Sequence, residues 1–212
     1  MLAHPILDLI QEAGVVAIIR RSGAFDAPAI ARALVAGGVR VLEITLNSHR
    51  ALQAIEAVRI LEIPGLSVGA GTVRRPTDAH AAIAAGAEFL VAPNFDRATV
   101  EVAHEAGLPM LPGVATPSEA VAAYEAGCGL LKLFPAAALG ADYLRLVRDP
   151  LDDVRFMATG GVDSANLHEF FRAGAVAVGL GSSLVGKGDE PAQLVTTRAL
   201  QVMAAIAEAR HG

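Results

Sequence analysis

One cysteine, two lysines and no long apolar stretch set the first limits on this 212-residue chain. With Cys128 alone, no intramolecular disulfide can form, which fits a reducing cytoplasm. Apolar stretches are short and broken by Gly, Pro or charge, so no membrane-spanning helix is expected. The start, Met1-Leu-Ala-His-Pro5, lacks a basic region followed by an apolar run, so no signal peptide is read there and a cytoplasmic setting is expected. Basic blocks are missing and the net charge is -5, which argues against a nucleic-acid partner. Local phosphate binding by backbone groups stays open, since it needs no net positive charge. The six histidines are scattered, with no HExxH and no pair at ligand spacing, so no metal site is expected.

What is present is apolar and repetitive. Hydrophobic residues make up 53% of the chain and charged residues 18%, enough for a large core and too apolar for disorder. Eight β-branched apolar runs alternate with Ala-rich segments. They are Val15–Arg20, Val41–Leu46, Ser67–Thr72, Phe89–Asn94, Met110–Ala115, Leu130–Pro135, Arg155–Gly161 and Ala175–Ser182. Their starts recur every 20 to 26 residues, room for one strand, one helix and two short loops. The runs are nearly continuously apolar, as parallel strands covered on both faces should be.

The intervening segments carry helix signals. Ala27–Ala36 has apolar residues at helical spacing, Asp26 as a plausible N-cap and Pro28 in the first turn. Thr116 and Glu119 form a capping-box pattern ahead of Pro117–Ala126. Gly37, Gly86, Gly107, Gly127 and Gly174 each follow a helical stretch, where left-handed C-caps are common. The expected architecture is α/β: one (β/α)8 TIM-barrel domain over residues 1–212, with an extra helix at 4–13 closing the bottom and a last helix at 189–210. An open doubly wound sheet fits less well, because the first junction, Arg20-Arg21-Ser22-Gly23, has no GxGxxG.

In such a barrel, chemistry sits at the C-terminal strand ends. The polar residues there are Arg20, Glu43 with Thr45 and Asn47, Thr72, Pro93-Asn94, Lys132, Thr159-Gly160-Gly161 and Gly181-Ser182. Lys132 stands out. The other lysine, Lys187, lies in a Gly-Lys-Gly-Asp turn, and every other basic side chain is one of fifteen arginines. Arginine suits a structural ion pair better. A desolvated lysine can lose its proton and attack a carbonyl. Glu43, inside the second run, is the natural proton carrier; the plain alternative is a buried Lys132–Glu43 ion pair without chemistry. Gly160-Gly161 and Gly179–Ser183 leave backbone N–H groups open to an anion, or are only tight turns. Cys128 reads as packing, and Arg74-Arg75 as solvated.

Taken together, these stretches resemble a known family. They are Val-Ala-Ile-Ile-Arg20, Leu-Glu43-Ile-Thr-Leu-Asn-Ser, Val-Gly-Ala-Gly-Thr72, Val-Ala-Pro93-Asn, Leu-Pro-Gly113-Val-Ala-Thr, Leu-Lys132-Leu-Phe134-Pro135, Thr159-Gly160-Gly161-Val and Gly-Leu-Gly181-Ser182. The chain is similar, from Val15 to about Gly188, to the aldolases of 2-keto-3-deoxy-6-phosphogluconate and 4-hydroxy-2-oxoglutarate, including the branch acting on the 6-phosphogalactonate epimer. The resemblance implies a class I aldolase with Lys132 as Schiff-base lysine and Glu43 moving protons through water. It implies Arg20 and Thr72 at the keto-acid carboxylate, Pro93 and Phe134 lining the pocket, and Thr159, Gly160, Gly161, Gly181 and Ser182 around the phosphate. It also implies a homotrimer, no metal and no cofactor. Asn47 departs from the phosphogluconate branch, which carries an Arg there, and Leu-Asn-Ser looks more like the phosphogalactonate branch. Two rivals share the barrel signals: a phosphate-binding sugar-phosphate epimerase, and a catalytically silent binding barrel.

Overall fold

A computed structural model describes residues 4–188 and 190–211. The chain opens with α1 (Pro5–Ala13) and β1 (Val15–Ile19). Then follow α2 (Ala27–Ala36), β2 (Val41–Thr45), α3 (Ala51–Arg59), β3 (Ser67–Gly71), α4 (Pro76–Ala84), β4 (Leu90–Val91) and α5 (Arg97–Glu105). The second half holds β5 (Met110–Leu111), β6 (Gly113–Val114), α6 (Pro117–Glu125), β7 (Leu131–Leu133), α7 (Ala136–Leu139), α8 (Ala141–Arg148) and β8 (Phe156–Thr159). It ends with α9 (Leu167–Arg172), β9 (Ala177–Leu180), α10 (Ser182–Val185) and α11 (Ala192–His211). Asp189, the expected start of the last helix, lies outside the described residues, as do Met1 to Ala3.

All strand pairs are parallel, in the order β5-β4-β3-β2-β1-β9-β8-β7-β6. The two end segments are consecutive in the chain, so the sheet curls into a nearly closed barrel. Eight strands were expected and nine segments are found, because the fifth strand breaks at Pro112. Proline has no N–H to give to a ladder. Its carbonyl still accepts from the Lys132 amide at 2.9 Å, which carries the barrel across the break.

Local signals explain the helices. Asp26 accepts from the Ala29 amide and starts α2; Thr116 and Glu119 form the full capping box on α6, each such cap contributing about 1 kcal/mol. Gly86, Gly107, Gly127 and Gly174 adopt positive φ as expected, but Gly37 does not (φ -89°); Gly38 takes the left-handed turn instead. Gly37 serves contact. A Cβ there would lie 2.3 Å from the Ala199 Cβ, so its bareness lets α11 close onto α2. Cys128 is buried, and burial pushes its thiol up to about 12, which leaves it a packing group. Arg74 and Arg75 are exposed, with Arg75 3.6 Å from Asp78.

The barrel interior has two levels, set by the two-residue period of a strand. The lower level is apolar: Val16, Val41, Phe89, Val91, Leu111, Leu130, Met157 and Ala177 form one buried cluster. Leu7 and Ile10 of α1 belong to it, so α1 seals this end, as the sequence suggested. Gly69 leaves the space that the Phe89 ring fills, since a Cβ would sit 2.5 Å from it. Two residues further along the strands the character changes to Ile18, Glu43, Gly71, Gly113, Lys132, Thr159 and Gly179.

Candidate active site

The upper level opens into a cavity of about 440 Å³. Its walls include Ile18, Arg20, Arg21, Lys132, Phe134, Thr159 to Asp163, Gly179 and Gly181 to Ser183. Seven of the expected site residues therefore meet there: Arg20, Phe134, Thr159, Gly160, Gly161, Gly181 and Ser182, around Lys132. Glu43, on the same level as Lys132, has no exposed surface and is not among the cavity walls. Thr72 and Pro93 sit half-buried at the ends of β3 and β4 and do not line this cavity. Pro93 instead packs by its backbone: a Cβ on Gly113 would fall 2.3 Å from the Pro93 carbonyl. Thr72 has φ 60°, a left-handed conformation rare for a non-glycine residue and of the kind stored at functional sites.

Lys132, on β7, is 4% exposed. Its Nζ stands 5.2 Å from the centroid of the Phe134 ring, on a face that attracts cations. Among the described residues it forms no ion pair within 4.0 Å, so the plain Lys132–Glu43 salt bridge is not made. Burial lowers the amine's pKa from its ordinary value; the Glu43 charge opposes this, and Arg20 adds to it. The result favours a neutral, nucleophilic amine.

Glu43, on β2, is the counterpart. Burial raises its pKa, with Lys132 and Arg20 acting in the opposite direction. Both carboxylate oxygens are buried and accept no hydrogen bond from the described residues. A buried polar group without partners is costly, of order 1–3 kcal/mol, and is rarely kept for stability. Its carboxylate occupies the place of a missing side chain, because a Cβ on Gly71 would fall 1.7 Å from Glu43 Oε1. Thr159 Oγ1 is likewise buried and unpartnered, 2.3 Å from where a Gly179 Cβ would be. Glycine at 71 and 179 thus makes room for the Glu43 carboxylate and the Thr159 side chain, as Gly69 makes room for Phe89 one level below.

Arg20 is exposed at the end of β1, and its backbone is pinned. Thr45 Oγ1 donates to the Ile19 carbonyl at 3.2 Å, and the Arg21 amide donates to Ser48 Oγ at 3.1 Å. Sequence reading placed Thr45 on the reactive face; its hydroxyl proves to brace the strand end that carries Arg20. Ser183, inside the Gly179–Ser183 stretch read as open to an anion, lines the cavity, whereas Arg21, Ile18 and Val162 were not read from sequence as cavity residues. Arg21 had a signal, as the second of two adjacent arginines at a strand end.

Known proteins match this arrangement. The family model described as KDPG and KHG aldolase matches residues 6–197. The chain belongs to the KDPG and KHG aldolase family. The KHG/KDPG aldolase of Escherichia coli K12 is 40% identical over 157 residues, 74% of this chain and 73% of that protein. A probable 2-dehydro-3-deoxy-6-phosphogalactonate aldolase of Rhizobium meliloti is 34% identical over 195 residues, 92% of each chain. The KDPG aldolase of Legionella pneumophila, solved with pyruvate captured as a covalent carbinolamine, superposes with a TM-score of 0.83 at 33% identity, over 92% of this chain and 96% of that one. As a member of this aldolase family, the chain is a lyase of the class I type.

Proposed function

We propose that this aldolase cleaves 2-keto-3-deoxy-6-phosphogluconate reversibly to pyruvate and glyceraldehyde 3-phosphate, with Lys132 as the covalent nucleophile. One observation carries the reading: a buried lysine and a buried glutamate, each without an ion-pair or hydrogen-bond partner among the described residues, share the upper barrel. The neutral Lys132 amine attacks C2 of the keto acid, giving a carbinolamine and, on loss of water, an iminium ion. Glu43, through a water molecule, takes the proton of the C4 hydroxyl as the C3–C4 bond breaks. The electron pair of that bond passes into the enamine, and glyceraldehyde 3-phosphate leaves. Protonation at C3 and hydrolysis release pyruvate and restore the amine. Arg20 meets the carboxylate and Phe134 forms the wall; Thr72, proposed beside that carboxylate, and Pro93 stand at the ends of β3 and β4 outside the cavity walls. Thr159, Gly160, Gly161, Gly181 and Ser182 hold the phosphate. Borohydride reduction with pyruvate should add a pyruvate-derived mass to the peptide containing Lys132. A folded protein with no adduct on that peptide would rule the mechanism out.

One residue favours a second substrate. Asn47 is exposed just past β2; by the resemblance read from the sequence the phosphogluconate branch has Arg there, and an amide cannot offer the bidentate fork of a guanidinium. The reading is therefore that the 6-phosphogalactonate epimer is also cleaved. Asn47→Arg should move the kcat/KM ratio of the two epimers toward phosphogluconate by about tenfold. An unmoved ratio discards Asn47 as a determinant.

One (β/α)8 domain would carry the whole reaction, as a homotrimer in a reducing cytoplasm and at the cleavage step of Entner–Doudoroff breakdown. Unphosphorylated 4-hydroxy-2-oxoglutarate, cleaved to pyruvate and glyoxylate, is the expected lesser substrate. Equilibrium sedimentation should return the mass of three chains; a monomer mass would end the trimer reading. Among the described residues, no helix is long and apolar enough to cross a membrane.

A further inference from the structure

Arg21 takes no part in the chemistry above, yet it is only 7% exposed. Its guanidinium donates to the Val185 carbonyl at 2.6 Å and to the Gly186 carbonyl at 2.7 Å. Its Nε is buried and unpartnered among the described residues, and the side chain lines the cavity beside Gly181 and Ser182. Burying a guanidinium is costly, and hydrogen bonds to backbone carbonyls offset that cost only in part.

The carbonyls it holds end α10, the single turn after β9. One turn cannot hold itself, because helix nucleation is unfavourable. Its place is set by clamps at both ends. At the front, Ser183 Oγ donates to the Val162 carbonyl at 3.4 Å, tying α10 to the Gly160-Gly161 loop. At the back stands the Arg21 fork. Without it α10 keeps the packing of buried Leu184 and Val185 and the Ser183 bond, but loses its side-chain hydrogen bonds at the back.

We propose that Arg21 is a positioning residue for the phosphate end of the substrate. It fixes α10 from behind, so that Gly181 and Ser182 meet the phosphate, and it keeps a permanent positive charge under that rim. This inference rests on the aldolase reading above. The lysine end is braced separately. The Arg21 amide is held by Ser48 Oγ at 3.1 Å, and its carbonyl accepts from the His49 amide at 2.7 Å, so a change of side chain leaves those backbone bonds in place.

Pyruvate has no phosphate, which allows the two ends to be measured apart. Exchange of its methyl protons for deuterium needs the Lys132 imine and its enamine, and nothing at the rim. Arg21→Met and Arg21→Lys are compared with the parent in this exchange and in cleavage of 2-keto-3-deoxy-6-phosphogluconate, with far-UV circular dichroism reporting the fold. The expected result is a rise in KM for the phosphorylated substrate that exceeds any change in the exchange rate by about tenfold or more, the size of one charge-assisted contact. The rise should be smaller in Arg21→Lys, which keeps the charge but lacks the two-pronged fork. Parallel loss of exchange and cleavage, an unchanged KM, or failure of both variants to fold overturns the proposal; if only Arg21→Met misfolds, Arg21→Lys decides. A parent protein that does not exchange pyruvate protons defeats the aldolase reading instead, so the two failures are distinct.

Discussion

Replacing Lys132 by arginine is expected to abolish pyruvate release in a chain that still folds. The loss should be at least about 10³-fold, or about 4 kcal/mol of barrier, because the covalent route disappears altogether. Arginine keeps the charge and reach of lysine, but its guanidinium does not lose its proton and forms no imine. The surroundings tolerate a cation, since the Phe134 ring lies within cation–π distance of the Lys132 nitrogen. Lys132→Met controls for crowding by the larger head group and should show the same loss. Coupled assay of pyruvate reads the activity, and borohydride trapping reads the adduct. Appreciable turnover by folded Lys132→Arg would point to a reaction without a covalent lysine, such as sugar-phosphate epimerisation.

Glu43→Gln should separate imine formation from bond cleavage. Gln has nearly the shape of Glu and fits the slot left by Gly71, so the fold should survive. Without a proton acceptor, kcat should fall roughly 10²–10⁴-fold, the usual range for a lost general base. The pyruvate adduct should still form. Its pH dependence carries a sign. Adduct formation needs the neutral amine, so it rises with pH through the pKa of Lys132. Burial lowers that pKa and the Glu43 charge raises it. Removing the Glu43 charge leaves the lowering causes unopposed, so trapping should extend to lower pH in Glu43→Gln than in the parent. Rapid-quench borohydride trapping across pH measures this. A shift to higher pH, or an unchanged kcat, would remove Glu43 from the mechanism.

The barrel was legible because its physics is periodic. Two-sided burial makes each parallel strand a continuous apolar run, and those runs recur at the spacing of one β/α unit. Lys132 was legible by contrast, as the one lysine inside a run. Other features depend on contacts between distant residues. Nothing near Gly71 in sequence says that its bareness houses the Glu43 carboxylate. The break at Pro112 was hidden inside an apolar run that otherwise reads as one strand. Gly37 and Gly38 look alike as helix ends, and the approach of Ala199 from the far end of the chain, which leaves Gly37 no room for a Cβ, is not written near either of them. Nothing near Arg21 in sequence marks it as buried, because its carbonyl partners lie about 165 residues away.

The apolar lower level, closed by Leu7 and Ile10, makes the barrel a vessel with one mouth. In the proposed reaction the aldehyde would leave by the same opening through which water arrives, because the apolar lower level offers a polar group no second way through. Departure of the first product and arrival of bulk water at the Lys132 adduct would then share one path, and a closed base would couple their order.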